Sequence, residues 1–444
     1  MAARLAGWRK ALKPYAQPRV LLILPLGFAS GLPLLLTFST LSAWLATVGV
    51  SRAAIGAFAL AGTPYALKFV WSPLIDRLPP PIPLGRRRGW GLAIQLALIV
   101  AILALGACDP RHHLRLMGIL AVTVAFLSAS QDIVIDAYRV ELLTEAEQGP
   151  GAGMVQTGYR IATLFSGAGA LLIAARAGWF TAYAAMAALL VVGLITFALA
   201  PEPQYPADPL IGDASTAAAP GLRRWIADAV IGPFADFMER PRWLLILVFV
   251  VAYKLGEALA GVMATPLYVA LGFTLAEIAA VSKLFGFVAT IIGALIGGVV
   301  AARLGVMRAL LVCGVLQSAG NLFYVLQALG GHRLEYLALC VTAENLTGAM
   351  AGAALVAYLS DLCSPAFTAT QYALLSSLSA VGRTLFAASA GVLAQYLGWA
   401  PFFLLTTVVT IPALMLLLGL ASPHKLEAGP WRDSLEGLRS TRNG

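Results

Sequence analysis

Asp132 and Asp136 stand four residues apart in the run 128–141, Ser-Ala-Ser-Gln-Asp-Ile-Val-Ile-Asp-Ala-Tyr-Arg-Val-Glu, inside a stretch otherwise apolar enough for a membrane core. On a helix that spacing puts both carboxylates on one face. A carboxylate in hydrocarbon costs about 2.5–3.5 kcal/mol even on the lenient insertion scale, so such residues face a bundle interior or a water-filled path. Desolvation favours the neutral acid and a neighbouring cation favours the charged form, so surroundings that change can load and unload a proton. Asp132 and Asp136, with Gln131 beside them, are therefore the leading proton-coupling candidates. Glu344 is the candidate further along the chain. A structural ion pair with Arg139 or Arg160 is the competing assignment for Asp136.

The other charges inside apolar stretches are few: Lys68, Arg160, Lys254, Lys283 and Arg383 are basic, and Glu257 is acidic. Counted along their segments, Lys254 and Glu257 fall near the middle of the seventh and Arg383 near the middle of the eleventh. Transporter sites cluster at that depth, between two halves. Lys254 and Glu257 are also i,i+3 on a helix and so can pair with each other.

Long apolar elements must position these residues. The chain has 444 residues, 60% hydrophobic and 11% charged, with mean hydropathy +0.84; a soluble domain is about a quarter charged. Twelve stretches long enough to span a bilayer are legible, roughly 20–48, 52–77, 89–107, 115–142, 153–175, 178–200, 241–271, 275–302, 306–329, 334–360, 368–397 and 399–421. They should be helices, because lipid offers backbone groups no partner and no ten-residue alternating strands are visible. No cleavable signal peptide is evident. The four cysteines, Cys108, Cys313, Cys340 and Cys363, are scattered and form neither metal spacing nor a disulfide framework. No cofactor is expected.

Most of the net charge of +9 gathers on one side of twelve such spans: the N-terminal Arg and Lys residues, Arg77 with Arg86–Arg88, Arg223, Arg224, Arg240, Arg242, Arg303, Arg308, and the tail from Lys425. The positive-inside rule then puts both termini in the cytoplasm, against anionic lipid. Nucleic-acid binding would need a soluble basic domain, and there is none. The polar break 201–240 opens Pro201-Glu202-Pro203. Its end, 222–239, spaces Trp225, Ile226, Val230, Phe234, Phe237 and Met238 as an amphipathic helix lying on the cytoplasmic leaflet. The expected organisation is an N-terminal six-helix bundle over 1–200, this linker over 201–240, a second bundle over 241–421, and a cytoplasmic tail over 422–444.

The bundles read as repeats. Gly49-Val50-Ser51 with Ile55 matches Gly272-Phe273-Thr274 with Ile278, and Arg160 matches Arg383, at one offset of 223 residues. Ser51 and Thr274 are plausible N-caps. After the second span comes Asp76-Arg77 and then Gly85-Arg86-Arg87-Arg88. That pattern resembles the loop signature of the major facilitator superfamily, whose two six-helix halves fit the count. Asp76, Arg77, Arg86 and Arg87 are thus candidates for a latch made by charge-assisted hydrogen bonds; plain topological basicity is the alternative.

Further blocks carry a closer resemblance. They are Gly27-Phe28-Ala29-Ser30-Gly31-Leu32-Pro33, Pro64-Tyr65 through Trp71-Ser72-Pro73-Leu74-Ile75-Asp76, Gln131-Asp132-Ile133-Val134-Ile135-Asp136-Ala137-Tyr138-Arg139, Glu344-Asn345-Leu346-Thr347-Gly348, and Ala369-Thr370-Gln371-Tyr372-Ala373-Leu374-Leu375-Ser376 ending in Ala380-Val381-Gly382-Arg383. In order and over nearly the whole chain, they resemble the AmpG-type muropeptide permeases, kin to the acetyl-coenzyme A transporters. The resemblance implies proton-driven import of anhydro-muropeptides, amino-sugar disaccharides bearing a short peptide, across a Gram-negative inner membrane, for peptidoglycan recycling. It implies a monomer working with protons, substrate and lipid.

Such a substrate carries carboxylates. Arg160, Lys254 and Arg383 would hold them, Arg bidentately, with Glu257, Tyr65, Tyr159, Gln131, Asn345 and Gln371 completing a substrate set. Another anionic metabolite, such as acetyl-coenzyme A or a siderophore-like compound, would suit the same scaffold. A membrane enzyme is disfavoured, because no nucleophile-elbow, zinc or phosphate-loop motif appears. A non-transporting receptor would not need charges spread over both halves.

Overall fold

The structure, a computed structural model, describes residues 13–50, 54, 58–78, 80–203, 231–387 and 389–420. Among these, every regular element is helical. Ten helices are long and apolar enough to cross a membrane. They are α1 (Pro18–Thr47), α3 (Arg86–Ala107), α4 (Leu114–Leu142), α5 (Glu145–Ala177), α6 (Trp179–Leu199), α7 (Trp243–Ala270), the Phe287–Leu304 part of α8 (275–304), α9 (Val306–Gly330), α10 (Leu334–Asp361) and α12 (Trp399–Leu420). The two remaining expected spans, α2 (58–77) and α11 (368–397), are helical in pieces. Proline explains α2. Pro64 and Pro73 sit in the first turns of Thr63–Leu67 and Ser72–Arg77, so each piece restarts where an N–H is missing anyway, and a 3-10 turn, Lys68–Val70, bridges them.

The six-plus-six repeat shows in the backbone. Gly178 and Gly398 end α5 and α11 with φ/ψ of 85/166° and 77/171°, a region only glycine enters cheaply, and each is followed by the tryptophan that opens the next helix. Gly49 and Gly272 likewise share positive φ. Thr274 caps α8 as expected: its hydroxyl accepts from the Glu277 N–H at 3.2 Å while the Glu277 carboxylate accepts from the Thr274 N–H at 2.8 Å. Its counterpart Ser51 lies outside the described residues.

Within the first half α1 crosses α5 where side chains are absent. A Cβ on Gly31 would meet the Tyr159 carbonyl at 2.5 Å, and one on Gly158 the Leu24 carbonyl at 2.1 Å. The halves meet along two seams, α2 and α4 against α11, and α8 and α10 against α5. Exchanging the halves converts one seam into the other. The face carrying the α2–α3, α4–α5, α8–α9 and α10–α11 connections also carries the linker, and is called the linker face below. Of the linker, the short helix Gly232–Met238 is described. Phe237 is buried in the core of the second half, and Pro233 and Asp236 are bonded to α11; the earlier part of the expected amphipathic stretch, 222–230, lies outside the described residues. Residues 204–230 and 421–444 lie outside the described residues.

Candidate functional site

In the first half, α4 presents Asp132 and Asp136 one turn apart. Asp132 accepts a hydrogen bond from the Ser30 hydroxyl of α1 at 2.6 Å. Asp136 pairs with neither Arg139 nor Arg160. Its partner is Lys68 on α2, with Nζ 3.8 Å from Oδ2. The reason is geometric: the 3-10 turn of α2 aims Lys68 at the face of α4 that carries both carboxylates, while Arg139 is turned to Gln148, at 3.3 Å, and to the Tyr372 ring of α11, 5.4 Å away. Tyr372 is also among the groups around Asp136. Gln131 is fully buried, and neither end of its amide has a hydrogen-bond partner among the described residues. Tyr65 sits among Thr37, Ser128, Asp132 and Tyr159.

In the second half α7 and α10 build a matching cluster. Lys254 is bonded to Glu257 and donates to the Gly348 carbonyl at 3.0 Å; Gln317 of α9 is bonded to the same Glu257 carboxylate. The i,i+3 pairing open in the sequence is thus the one formed. Glu344 accepts from the Asn345 amide at 2.8 Å, and Asn345 accepts from Thr290 of α8 at 3.0 Å. Arg160 of α5 is exposed, and it belongs with Glu257 and Lys254 to the charged surroundings of Glu344. Carboxylates and cations therefore face one another across the α5–α10 seam.

Below this, at the linker face, lies a third cluster. Arg87, 1% exposed, reaches Asp76 Oδ1 at 2.7 Å and both oxygens of Glu141, at 2.5 and 3.0 Å. Arg86 donates to the Asp76 carbonyl at 3.1 Å and to Glu141 at 3.0 Å. The other Asp76 oxygen accepts from the N–H and hydroxyl of Thr370, at 2.9 and 2.8 Å, at the start of α11. A carboxylate of the first half thus caps a helix of the second. Arg77 adds a cation–π contact with Phe367, 5.2 Å away. Three partners were not legible. Glu141 reads in the sequence as a residue fixing its own helix end; Thr370 reads as an ordinary block residue; Glu202 opens the linker and accepts from the Arg87 and Arg88 N–H groups at 2.7 and 3.1 Å.

One expected substrate residue is engaged elsewhere. Gln371 sits at the linker face with its amide engaged, donating to the Pro233 carbonyl at 3.1 Å and to Asp236 at 2.6 Å, and accepting from the Ser364 N–H at 2.7 Å. It holds the linker helix to α11. Arg383 lies midway along α11, but its side chain, like that of Lys283, is outside the described residues.

The chain overlays on solved transporters of this architecture. The fucose:proton symporter of Escherichia coli matches with TM-score 0.68 at 11% identity, over 93% of this chain and 100% of that one. A bacterial homologue of the iron transporter ferroportin, in an outward-facing state, matches with TM-score 0.66 at 14% identity, over 91% and 99%. Family models match residues 252–442 as Major Facilitator Superfamily and 19–116 as Acetyl-coenzyme A transporter 1. Fold and charged interior together define a multi-pass membrane transporter of the major facilitator superfamily. In sequence the chain is 44% identical to the anhydromuropeptide permease of Escherichia coli over 92% of its own length and 80% of that protein's, and 35% identical to the transporter AmpG 4 of Rickettsia conorii over 92% and 97%. It belongs to the AmpG-type anhydromuropeptide permease family.

Proposed function

We propose that the chain carries anhydro-muropeptides inward across the bacterial inner membrane together with protons, by alternating access, for peptidoglycan recycling. The observation that carries this reading is the set of charged residues inside both halves: Asp132, Asp136 and Lys68 in one, Glu257, Lys254 and Glu344 in the other, with Arg160 of α5 beside Glu344. An amino-sugar fragment bearing carboxylates needs cations and amides on both sides, and proton coupling needs carboxylates that change surroundings as the halves rock. The 44% identity to a permease named for this substrate supports the choice of cargo. The basic residues on the linker face support a cytoplasmic placement of that face and of both termini.

Asp76, Arg77, Arg86 and Arg87, joined by Glu141 and Thr370, act in this reading as the latch that holds the cytoplasmic side shut while the site faces outward. The test is uptake of labelled anhydro-muropeptide into liposomes holding the purified protein with its outer face outward. Accumulation is expected only when the outside is acid relative to the lumen, and a protonophore should collapse the pool while sparing downhill exchange. Accumulation without any proton gradient would make the chain a facilitator. The match of residues 19–116 to an acetyl-coenzyme A transporter model favours one other cargo. Competition of uptake by acetyl-coenzyme A, absent for the muropeptide reading, separates the two.

A further inference from the structure

The two buried lysines of the interior are satisfied unequally. The ammonium of Lys254 has a carboxylate and a backbone carbonyl at hydrogen-bond distance or closer. Lys68 is as buried, at 7% exposed against 6%. Yet its one polar contact among the described residues is Asp136 at 3.8 Å, beyond hydrogen-bond reach. An ammonium has three donors, and those of Lys68 are not taken by a described protein group, so an arriving anion can accept them. The position is also built for access. Lys68 begins the 3-10 turn where proline has broken α2, at the seam where α2 and α4 meet α11.

We propose that Lys68 is the anion seat that ties cargo binding to protonation: a cargo carboxylate takes its ammonium, and the Asp132–Asp136 pair, losing the cation it shared, takes up one proton. This rests on reading the chain as a carrier of a carboxylate-bearing cargo. The groups facing the pair are Lys68 and the Tyr65 hydroxyl from α2, Arg139 on α4 itself, the Ser30 hydroxyl from α1, and the Tyr372 hydroxyl and Cys363 thiol from α11 and its approach. Arg139 donates to Gln148 from one nitrogen and lies over the Tyr372 ring, while Lys68 is the cation within 4 Å of a carboxylate of the pair. The charge balance is simple. No covalent bond changes, Lys68 keeps its protons, and the proton comes from water on the open side. One carboxylate and one proton enter together, so the buried charge of the seat is unchanged.

The experiment uses the purified full chain, with anhydro-muropeptide and the same fragment with its carboxylates converted to amides. Affinity and protons taken up are read by calorimetry in two buffers of different ionisation enthalpy. The unaltered protein is expected to bind the acid form at least about tenfold tighter than the amide, equivalent to about 1.4 kcal/mol, and to take up about one proton. Lys68→Gln should lose both the preference and the uptake, and Lys68→Arg should keep both. Should Lys68→Gln melt early, Lys68→Gln/Asp136→Asn, which removes both charges of the pair, serves in its place. Preference and uptake that persist in the glutamine variants overturn the inference, as does their loss in a well-folded Lys68→Arg. If the unaltered protein binds neither ligand, the cargo reading falls and this inference with it. Binding by the unaltered protein with no change in the variants sinks the inference alone.

Discussion

Asp132 and Asp136 look equivalent on a helical wheel, and their surroundings separate them. Asp132 is held by a neutral hydroxyl from Ser30, whereas Asp136 faces a cation and an aromatic hydroxyl from the opposite half. Asp132→Asn should therefore abolish gradient-driven accumulation with the protein still folded in the membrane, because the amide keeps the Ser30 contact and loses the proton. Normal accumulation at normal protein levels would remove Asp132 from the coupling. Arg383 is argued from its depth along α11 and its repeat partner Arg160. Truncating one side of a buried charged contact costs about 2–5 kcal/mol. Arg383→Ala should then weaken binding of a carboxylate-bearing fragment strongly and of a neutral sugar analogue little; equal losses would mark the residue as structural.

Two helices show how local sequence sets what an element can do. α2 is broken by its prolines, and that break points Lys68 at α4. α1 and α5 lie close enough for backbone contact because Gly27, Gly31 and Gly158 leave no side chain between them. A Cβ at Gly158 would sit 2.1 Å from the Leu24 carbonyl and 2.7 Å from the Phe28 nitrogen, so backbone must move. Gly158→Leu should cost at least the 1–3 kcal/mol typical of overpacking. It should also displace Ser30 from Asp132. A lowered melting temperature with weakened uptake is the expected result. Unchanged melting would mean that the crossing is looser than this contact requires.

The polar contacts that tie the halves gather at the linker face, on opposite sides of the molecule. Asp76 caps α11 on one seam. On the other, the Tyr15 hydroxyl, ahead of α1, donates to the Leu295 carbonyl of α8 at 2.7 Å, threading beside Gly153 and Gly298 where a Cβ would meet it. Burial holds the Tyr15 hydroxyl well above the usual tyrosine range, so it stays a neutral donor at any physiological pH. In the proposed cycle, both contacts would be made with the linker face closed and lost when it opens. A neutral hydrogen bond contributes about 1 kcal/mol, a factor of about five in population. Tyr15→Phe should shift the balance towards the open linker face by about that factor. Asp76→Asn, which loses a buried ion pair and a helix cap, should shift it further. Distances between spin labels on the linker-face ends of α5 and α8 report both changes. Distributions that do not move in either variant would show that apolar packing alone sets the closed state.

Composition and period suffice for the coarse architecture of this protein, because a bilayer leaves a long apolar segment little choice but a helix and charge bias sets its direction. The Thr274 cap, the loop glycines Gly49 and Gly272, the Lys254–Glu257 pair and the family blocks are local in sequence, and so were legible there. What the tertiary structure decided is which charge meets which. Arg139 is three residues from Asp136 and yet turns away, while Lys68, 68 residues distant, becomes its partner. Gln371 leaves the expected substrate set for the linker helix, and Glu141, Glu202, Thr370 and Tyr15 join contacts that no spacing announces. Helix period fixes the face a residue occupies along its own axis. The rotation and crossing of packed helices, set by glycine contacts and proline breaks, fix the neighbour that face receives.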